Sequence, residues 1–269
     1  MSPAAVSERL AELCTEFRLP TLARELVRRF VQVGHEGVLP LVLEVFELEA
    51  QDRRERRVGR LRRAAKLPPG KTFDTLDTER LPRMLVQKLR TVARGDFLDR
   101  AQNVLCFGLP GTGKSHAAAA IGHALVEAGR SVLFVPTYQV VQELLAAKRD
   151  HALPRALRKL DVFELIILDD IGYVAQSSDE AEVLFTLMAE RYEARSMLIT
   201  SNLVFSQWER IFKEPMATAA AIDRLVHHAI ILEFNVPSYR TQDARKRAEG
   251  ERANADDNHS TTTPDKDPA

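Results

Sequence analysis

An eight-residue glycine-rich segment constrains the fold of this chain more than any other feature. Residues 108–115 read GLPGTGKS and fit the pattern G-x-x-x-x-G-K-[ST]. A β-prone run over 103–107 precedes the segment, and a helical run to Ala128 follows it, which is the context in which this pattern forms a phosphate-binding loop. Its glycines let backbone N–H groups close around phosphate oxygens, and the start of the following helix favours negative charge. The segment therefore predicts a strand, a loop and a helix that together hold a nucleotide.

Individual positions of this loop have separate expected roles. Lys114 is expected to reach the β- and γ-phosphates of ATP, and the Ser115 hydroxyl to bind Mg²⁺. His116, on the helix, is a candidate for nucleotide contact, with simple packing as the alternative. The other candidate nucleotide contacts are Gly108, Leu109, Pro110, Gly111, Thr112 and Gly113. A glycine-rich turn without a ligand is the competing interpretation.

Two acids end a later apolar run and predict the metal side of the same site. Residues 165–168 are entirely apolar, and Asp169 and Asp170 follow directly. Two carboxylates at the end of a buried strand are costly unless they face a cation or water. We expect Asp169 to hold Mg²⁺ and Asp170 to orient or deprotonate the attacking water. Asn202, which ends the next β-prone run, is a candidate γ-phosphate contact, although Ser-Asn is also a common helix cap.

The rhythm of the chain predicts an α/β fold after residue 100. Short β-prone runs alternate there with helical ones, at 103–107, 131–135, 165–168, 197–200 and 230–234. Five strands separated by helices indicate a parallel sheet covered on both faces.

The preceding residues predict a small helical domain. Apolar residues recur at helical spacing over 5–33, interrupted at Pro20, and a third helix begins near Pro40. Pro68, Pro69 and Gly70 mark a boundary. The predicted domains are residues 1–66, a helical domain ending in a basic linker helix, and residues 67–247, a nucleotide-binding domain. No Leu, Ile, Val, Phe, Met or Trp occurs after residue 240, so 248–269 is expected to be a disordered tail.

The charge balance of the whole chain is zero but conceals two basic stretches. Residues 53–66 hold 8 basic side chains and 1 acidic one, and helical spacing would align four arginines on one face: Arg53, Arg57, Arg60 and Arg63. A second set of basic residues lies between the second and third strands: Lys148, Arg149, Arg155, Arg158 and Lys159. No aromatic residue interleaves with the arginines, so contact with duplex DNA phosphates is expected rather than base stacking. The alternatives are a solvated face and a protein-docking face.

Four segments can be compared with known families: GLPGTGKSHAA (108–118), LIILDDIGY (165–173), AERYEARSMLITSNLVFSQW (189–208) and DRLVHHA (223–229). Together they resemble the IstB-like ATP-binding family of AAA+ ATPases, which assist the transposases of bacterial insertion sequences. The family is related to DnaC-type helicase loaders and DnaA-type initiators. The resemblance covers about residues 10–240 and implies an AAA+ P-loop NTPase core with a five-stranded parallel sheet, preceded by a small all-helical N-terminal domain.

The resemblance also implies how the site works. Asn202 would be a sensor, Arg224 an arginine finger supplied in trans, and Arg240 a second-sensor contact to the γ-phosphate. The implied activity is DNA-stimulated ATP hydrolysis by a homo-oligomer on duplex DNA, with the transposase of the same element as its partner. Most AAA+ proteins carry Asp-Glu where this chain has Asp169 and Asp170, so water activation is expected to be slower or to need DNA.

Several other functions and locations stay open or are disfavoured. A helicase loader is the nearest alternative, since it uses the same ATPase with another client. A small-molecule kinase and a nucleotide-gated scaffold without hydrolysis are more distant ones. Two widely separated cysteines, Cys14 and Cys106, favour a reducing cytoplasm, and we recognise neither a secretory signal nor a membrane span. The charged run 191–195 is expected at the surface.

Overall fold

The computed structural model describes residues 1–173, 177–212, 215–227 and 229–239. The chain divides into two compact units, Met1–Leu61 and the residues from Arg62 onward. The predicted domain boundary at 66–67 remains a prediction. Arg240 and the expected disordered tail 248–269 lie outside the described residues.

Three helices form the first unit, as the periodicity predicts: α1 (Pro3–Glu16), α2 (Pro20–Gln32) and α3 (Leu39–Ala64), the last of which runs past the unit's end. The Ser2 hydroxyl caps α1 by accepting a hydrogen bond from Ala5 N at 3.3 Å. Pro20 begins α2, where a missing N–H costs nothing. The buried core of this unit contains Val6, Leu10, Leu13, Phe17, Leu39, Leu43 and Ala50.

A five-stranded parallel sheet forms the centre of the second unit, which confirms the predicted fold class. Its strands are β1 (Val104–Gly108), β2 (Val132–Pro136), β3 (Leu165–Asp169), β4 (Ser196–Ser201) and β5 (Ile230–Phe234). They lie in the order β2-β3-β4-β1-β5. β1 pairs with both β4 and β5, and β3 pairs with both β2 and β4. The carboxyl ends of all five strands therefore share one edge.

Helices cover this sheet. They are α4 (Arg83–Val92), α5 (Lys114–Glu127), α6 (Thr137–Arg149), α7 (Leu153–Leu160), α8 (Ser178–Arg191), α9 (Glu209–Phe212) and α10 (Pro215–Val226). β1, β2 and β3 each bury four consecutive residues, as strands covered on both faces do. Every described helix falls short of the length or the apolarity that a membrane span requires.

Candidate functional site

The predicted phosphate-binding loop connects β1 to α5 at the carboxyl edge of the sheet. β1 ends at Gly108 and α5 begins at Lys114. Gly113, directly before the helix, has a φ of 95°, in the left-handed region that favours glycine. The first N–H groups of a helix have no acceptors within it, so this end of α5 favours an anion.

Lys114 is folded back onto its own loop. Its Nζ donates hydrogen bonds to the main-chain oxygens of Gly108 and Leu109, both at 2.8 Å. The Thr112 hydroxyl also donates to Leu109 O, at 2.8 Å, and keeps the loop closed around the ammonium group. A phosphate would compete for Lys114, because a hydrogen bond between two charged groups is stronger than one to a neutral carbonyl.

A cavity of about 310 Å³ opens beside the loop. Its lining from the loop and α5 is Gly111, Gly113, Lys114, Ser115 and His116. Residues distant in sequence complete the lining: Lys71, Thr75, Leu76, Asp77 and Tyr239. The loop and helix residues of this lining were predicted site residues, whereas Lys71, Thr75, Leu76, Asp77 and Tyr239 were not. Cationic, hydroxyl and apolar side chains meet here, which suits the phosphates and the base of a nucleotide.

Tyr239 joins the two sides of this cavity. Its backbone N–H donates to Gly111 O at 2.9 Å, and its hydroxyl donates to Asp77 O at 3.0 Å. Burial, and secondly the charge of Asp77, raise the pKa of the Tyr239 phenol. The hydroxyl therefore remains a hydrogen-bond donor at neutral pH. Arg240, the candidate second sensor, directly follows Tyr239 but lies outside the described residues.

Thr200 connects the two predicted carboxylate residues at the end of β3. Its Oγ1 donates to Asp169 Oδ1 at 2.7 Å and accepts a hydrogen bond from the Asp170 backbone N–H at 2.8 Å. Thr200 is 1% exposed and comes from β4, the neighbour of β3. Thr137 adds a second constraint, since its hydroxyl donates to Asp169 O at 2.9 Å. Neither threonine was among the predicted site residues.

The backbone at Asp170 explains why a short acid is tolerated there. Its φ is 61°, in the left-handed region. Asp and Asn adopt this conformation more readily than residues with longer side chains, because their short polar side chains form local hydrogen bonds. The Asp-for-Glu departure at this position therefore agrees with the local conformation.

The donor atoms of this site suit Mg²⁺. Ser115 offers a hydroxyl oxygen and Asp169 a carboxylate oxygen, and Mg²⁺ takes such hard ligands together with phosphates and water. In the described part of the chain, no cluster of three or more His, Cys, Asp or Glu could hold a metal by itself. The phosphates of a nucleotide would thus complete the coordination.

The charges of Lys114 and Asp169 both act on Cys106 in β1. Burial raises the pKa of the Cys106 thiol to about 12, Lys114 lowers it and Asp169 raises it. Both charges therefore act on one buried atom of the central strand. The thiol itself is fully buried in the core.

The side-chain oxygen of Asn202 is a hydrogen-bond acceptor near the start of the phosphate-binding loop. Its Oδ1 is buried, makes no hydrogen bond to any described residue, and lies against Gly172, where there is no room for a side chain. Leaving a buried polar atom without a partner costs about 1–3 kcal/mol. Asn202 also lines a second cavity, of about 890 Å³, together with Gly108 and Leu109. This position agrees with a ligand contact for Asn202.

Arg224, the candidate arginine finger, lies near the end of α10 and outside the lining of the nucleotide cavity of its own chain. Its guanidinium carbon is 4.7 Å from the centre of the Phe185 ring. Nη1 is buried and has no hydrogen-bond partner among the described residues, and no ion pair joins Arg224 to Asp223 in this part of the chain. An ion pair with Asp223 would be the ordinary alternative role for Arg224, and the described residues do not form it.

Some of the arginines on α3 form ion pairs with carboxylates of the same helix. Arg53 donates to Glu49 at 2.6 Å, and its guanidinium carbon lies 4.2 Å from the centre of the Phe17 ring. Arg56 forms an ion pair with Asp52 at 3.4 Å. A cavity of about 370 Å³ is lined here by Glu16, Phe17, Arg53, Arg54, Arg56, Arg57 and Arg60. Arg60 and Arg63 are exposed and have no ion-pair partner within the described residues.

The second basic set is divided in the same way. Lys148, near the end of α6, forms ion pairs with Asp179 at 3.0 Å and Glu182 at 2.8 Å. Its charge is therefore balanced within the chain. The other four residues are exposed: Arg149, Arg155, Arg158 and Lys159.

One expectation about charge was wrong. Arg191, placed at the surface by the sequence analysis, is 1% exposed, and its guanidinium donates to four main-chain oxygens, those of Leu160, Phe163, Glu164 and Ser196. Burial lowers the pKa of Arg191 to about 10, so the group remains charged at neutral pH. Arg191 thus joins the end of α8 to the main chain just before β3 and at the start of β4.

Comparison with known proteins agrees with this site. The family model described as IstB-like ATP binding protein matches residues 13–247. A Sinorhizobium fredii protein named as an insertion sequence ATP-binding protein is 44% identical over 239 residues, which cover 88% of this chain and 80% of that protein. A Geobacillus stearothermophilus protein, named as the ATP-binding protein of insertion sequence IS5376, is 30% identical over 246 residues, 91% of this chain and 98% of that protein.

Two solved structures share the fold. The DnaC helicase loader superposes with a TM-score of 0.55 at 17% identity, covering 63% of this chain and 99% of that chain. DnaA from Aquifex aeolicus, bound to AMPPCP, superposes with a TM-score of 0.54 at 15% identity, covering 69% of this chain and 56% of that chain. These likenesses establish the AAA+ fold. By its sequence and its fold, the chain belongs to the IstB-like ATP-binding protein family.

Proposed function

We propose that this chain is a Mg²⁺-dependent ATPase that assists transposition of a bacterial insertion sequence. It assembles on duplex DNA as an ATP-bound homo-oligomer in the cytoplasm, recruits the transposase of the same element, and leaves the DNA after hydrolysis. The observation that carries the proposal is its match to insertion-sequence ATP-binding proteins along 80% and 98% of their lengths. The lining of the nucleotide cavity supports the ATP-dependent part.

The residues of the site divide the chemistry of hydrolysis. Lys114 leaves the carbonyls of its own loop to neutralise the phosphates, and Ser115 and Asp169 hold Mg²⁺. The metal, when bound, stabilises the charge that develops on the phosphate oxygens. Asp170 orients or deprotonates the attacking water. The buried Asn202 side chain contacts the γ-phosphate through its amide NH₂, which donates, or accepts a hydrogen bond from that water at its unpaired Oδ1.

We infer which arginines contact DNA from the ion pairs on α3. Arg53 and Arg56 already have carboxylate partners, so a DNA phosphate must compete with Glu49 and Asp52 for them. Arg60 and Arg63 have no such competition. We therefore assign most of the salt-dependent affinity to these two arginines, with Arg149, Arg155, Arg158 and Lys159 as a second contact.

Replacing Arg60 and Arg63 together with Ala should weaken duplex binding to a similar extent on unrelated sequences. Each phosphate contact contributes a log–log salt slope of roughly −0.9, so the double variant should be flatter by about two units. Fluorescence anisotropy at several salt concentrations measures this slope. The matched control is Arg83→Ala with Arg90→Ala, which removes the same charge from two exposed positions on α4. An unchanged slope in the Arg60 and Arg63 variant would make this part of α3 a protein-docking face instead.

Arg224→Ala should fold and bind ATP but lose DNA-stimulated turnover. Acting in trans requires Arg224 to leave the Phe185 ring, and a half-buried cation–π contact is worth only about 1–2 kcal/mol. Mixing Arg224→Ala with Asp170→Asn protein should partly restore hydrolysis, because some interfaces then combine an intact Asp170 with a neighbour's Arg224. Phosphate release at several mixing ratios measures the rescue, with Arg195→Ala as the control for removing a surface arginine. Absence of rescue in verified mixed oligomers would refute action in trans.

The client distinguishes the proposal from its alternative, a helicase loader. The likeness to the DnaC helicase loader is at 17% identity and shows a shared fold, so it does not favour that client. ATP-dependent capture of an insertion-sequence transposase on DNA would support the proposed function. Capture of a replicative helicase instead would support the loader.

A further inference from the structure

The segment that follows α3 runs along α5 to the nucleotide cavity. We call residues 65–77 the linker. At its start, Ala65 O accepts a hydrogen bond from Phe134 N in β2 at 2.7 Å, and Ala65 is fully buried. Leu67 then packs on α5 at Gly122, where a Cβ atom would lie 2.6 Å from Leu67 Cδ2. The linker is thus seated in a groove that depends on a glycine of α5.

Two histidines of α5 hold the linker beyond Leu67. His123 Nε2 lies 3.1 Å from Pro68 O, and His116 Nε2 lies 3.1 Å from Thr72 O. A carbonyl oxygen can only accept, so both Nε2 atoms carry the proton. His116 Nε2 is also 3.1 Å from Thr75 Oγ1. The histidines are seven residues apart, about two turns, so they fix the linker at two points roughly 10 Å apart along α5.

The residues held in this way form one wall of the nucleotide cavity. Lys71, Thr75, Leu76 and Asp77 all line it, and the Tyr239 hydroxyl donates to Asp77 O at the wall's far end. His123 does not line the cavity. Its hydrogen bond to Pro68 can therefore influence a bound nucleotide only through the linker.

We propose that His123 and His116 are positioning residues that set nucleotide affinity by holding the linker against α5. The inference rests on the proposed function only in taking the cavity as the ATP site. It also gives His116 a role other than direct nucleotide contact, because His116 Nε2 is hydrogen-bonded to Thr72 and Thr75. Loss of either histidine would leave the wall displaced while the phosphate-binding loop and the carboxylates keep their geometry.

The test compares His123→Phe, which keeps a ring but removes the donor, with His123→Gln, whose side-chain amide can still donate. A fluorescent ATP analogue should bind His123→Phe roughly three- to tenfold more weakly, the loss expected for one hydrogen bond. His123→Gln should stay within twofold of the unsubstituted protein. The rate of hydrolysis at saturating ATP should be unchanged in both, so the effect falls on KM and not on kcat.

Thermal melting separates positioning from general destabilisation. Should His123→Phe fail to fold, His123→Ala removes the same donor with a residue that favours helices. Equal analogue affinity of a folded donor-free variant and the unsubstituted protein would overturn the proposal, as would equally weak binding by His123→Gln. If the unsubstituted protein binds the analogue but neither hydrolyses ATP nor binds DNA, the proposed function fails while the affinity comparison still decides this inference.

Discussion

Replacing Lys114 with Ala is expected to abolish nucleotide binding at micromolar protein concentrations. The ammonium group is the charged donor of the loop, and its hydrogen bonds to Gly108 O and Leu109 O show that it lies within reach of the loop's interior. Charge-assisted hydrogen bonds are worth about 1.5–3 kcal/mol each, so losing two predicts an affinity loss of about 100-fold or more. Titration with a fluorescent ATP analogue measures it.

The control for Lys114 is Lys88→Ala, an identical substitution at an exposed position of α4. It should bind the analogue like the unsubstituted protein. Equal affinity of Lys114→Ala and Lys88→Ala, with both variants folded by circular dichroism, would remove residues 108–115 from the nucleotide site.

Asp170→Asn is expected to bind ATP normally and to hydrolyse it about 100-fold more slowly, since general-base catalysis typically contributes 10²–10⁴-fold. Asn is the appropriate replacement because it tolerates the left-handed φ of 61° at this position. It also keeps the backbone N–H that donates to Thr200. The oligomer should then remain trapped on DNA in the ATP-bound state, which phosphate release and DNA dissociation rates measure together.

Asp150→Asn supplies the comparison for Asp170, because Asp150 is an exposed aspartate between α6 and α7. Its turnover should match that of the unsubstituted protein. Undiminished phosphate release from Asp170→Asn would show that another group activates the water. No detectable release from the unsubstituted protein, even with DNA, would favour the nucleotide-gated scaffold.

Local patterns predicted the elements that carry their own signals. All five strands lie within one residue of their predicted bounds at each end, because each is a short apolar run between turn residues. α4 was not predicted, although Leu85, Leu89 and Val92 lie at helical spacing and are buried. A helical pattern of only ten residues between the linker and β1 gives a weak signal in sequence alone.

The candidate site was predictable only where its residues form a contiguous motif. The loop 108–115 and the acids after β3 are such motifs. Tyr239 lies more than 120 residues from the loop and reaches it only when β5 pairs with β1. The burial of Arg191 similarly depends on main-chain oxygens that come together around β3 and β4. Such contacts are set by tertiary structure, which composition and spacing do not specify.

The contact between Ala65 and β2 also bears on self-association of the sheet. β2 is an edge strand, and an exposed edge offers unpaired N–H groups to a strand of another molecule. Here the Phe134 N–H is already bonded to Ala65 O, and two residues on, Pro136 has no N–H to offer. Because successive N–H groups of a strand point to opposite sides, residues 132, 134 and 136 of β2 face this edge. Of these, only Val132 still has an N–H group to offer. We therefore expect the linker to hinder edge-to-edge pairing at β2, and a shortened chain that begins after Ala65 to lose that protection.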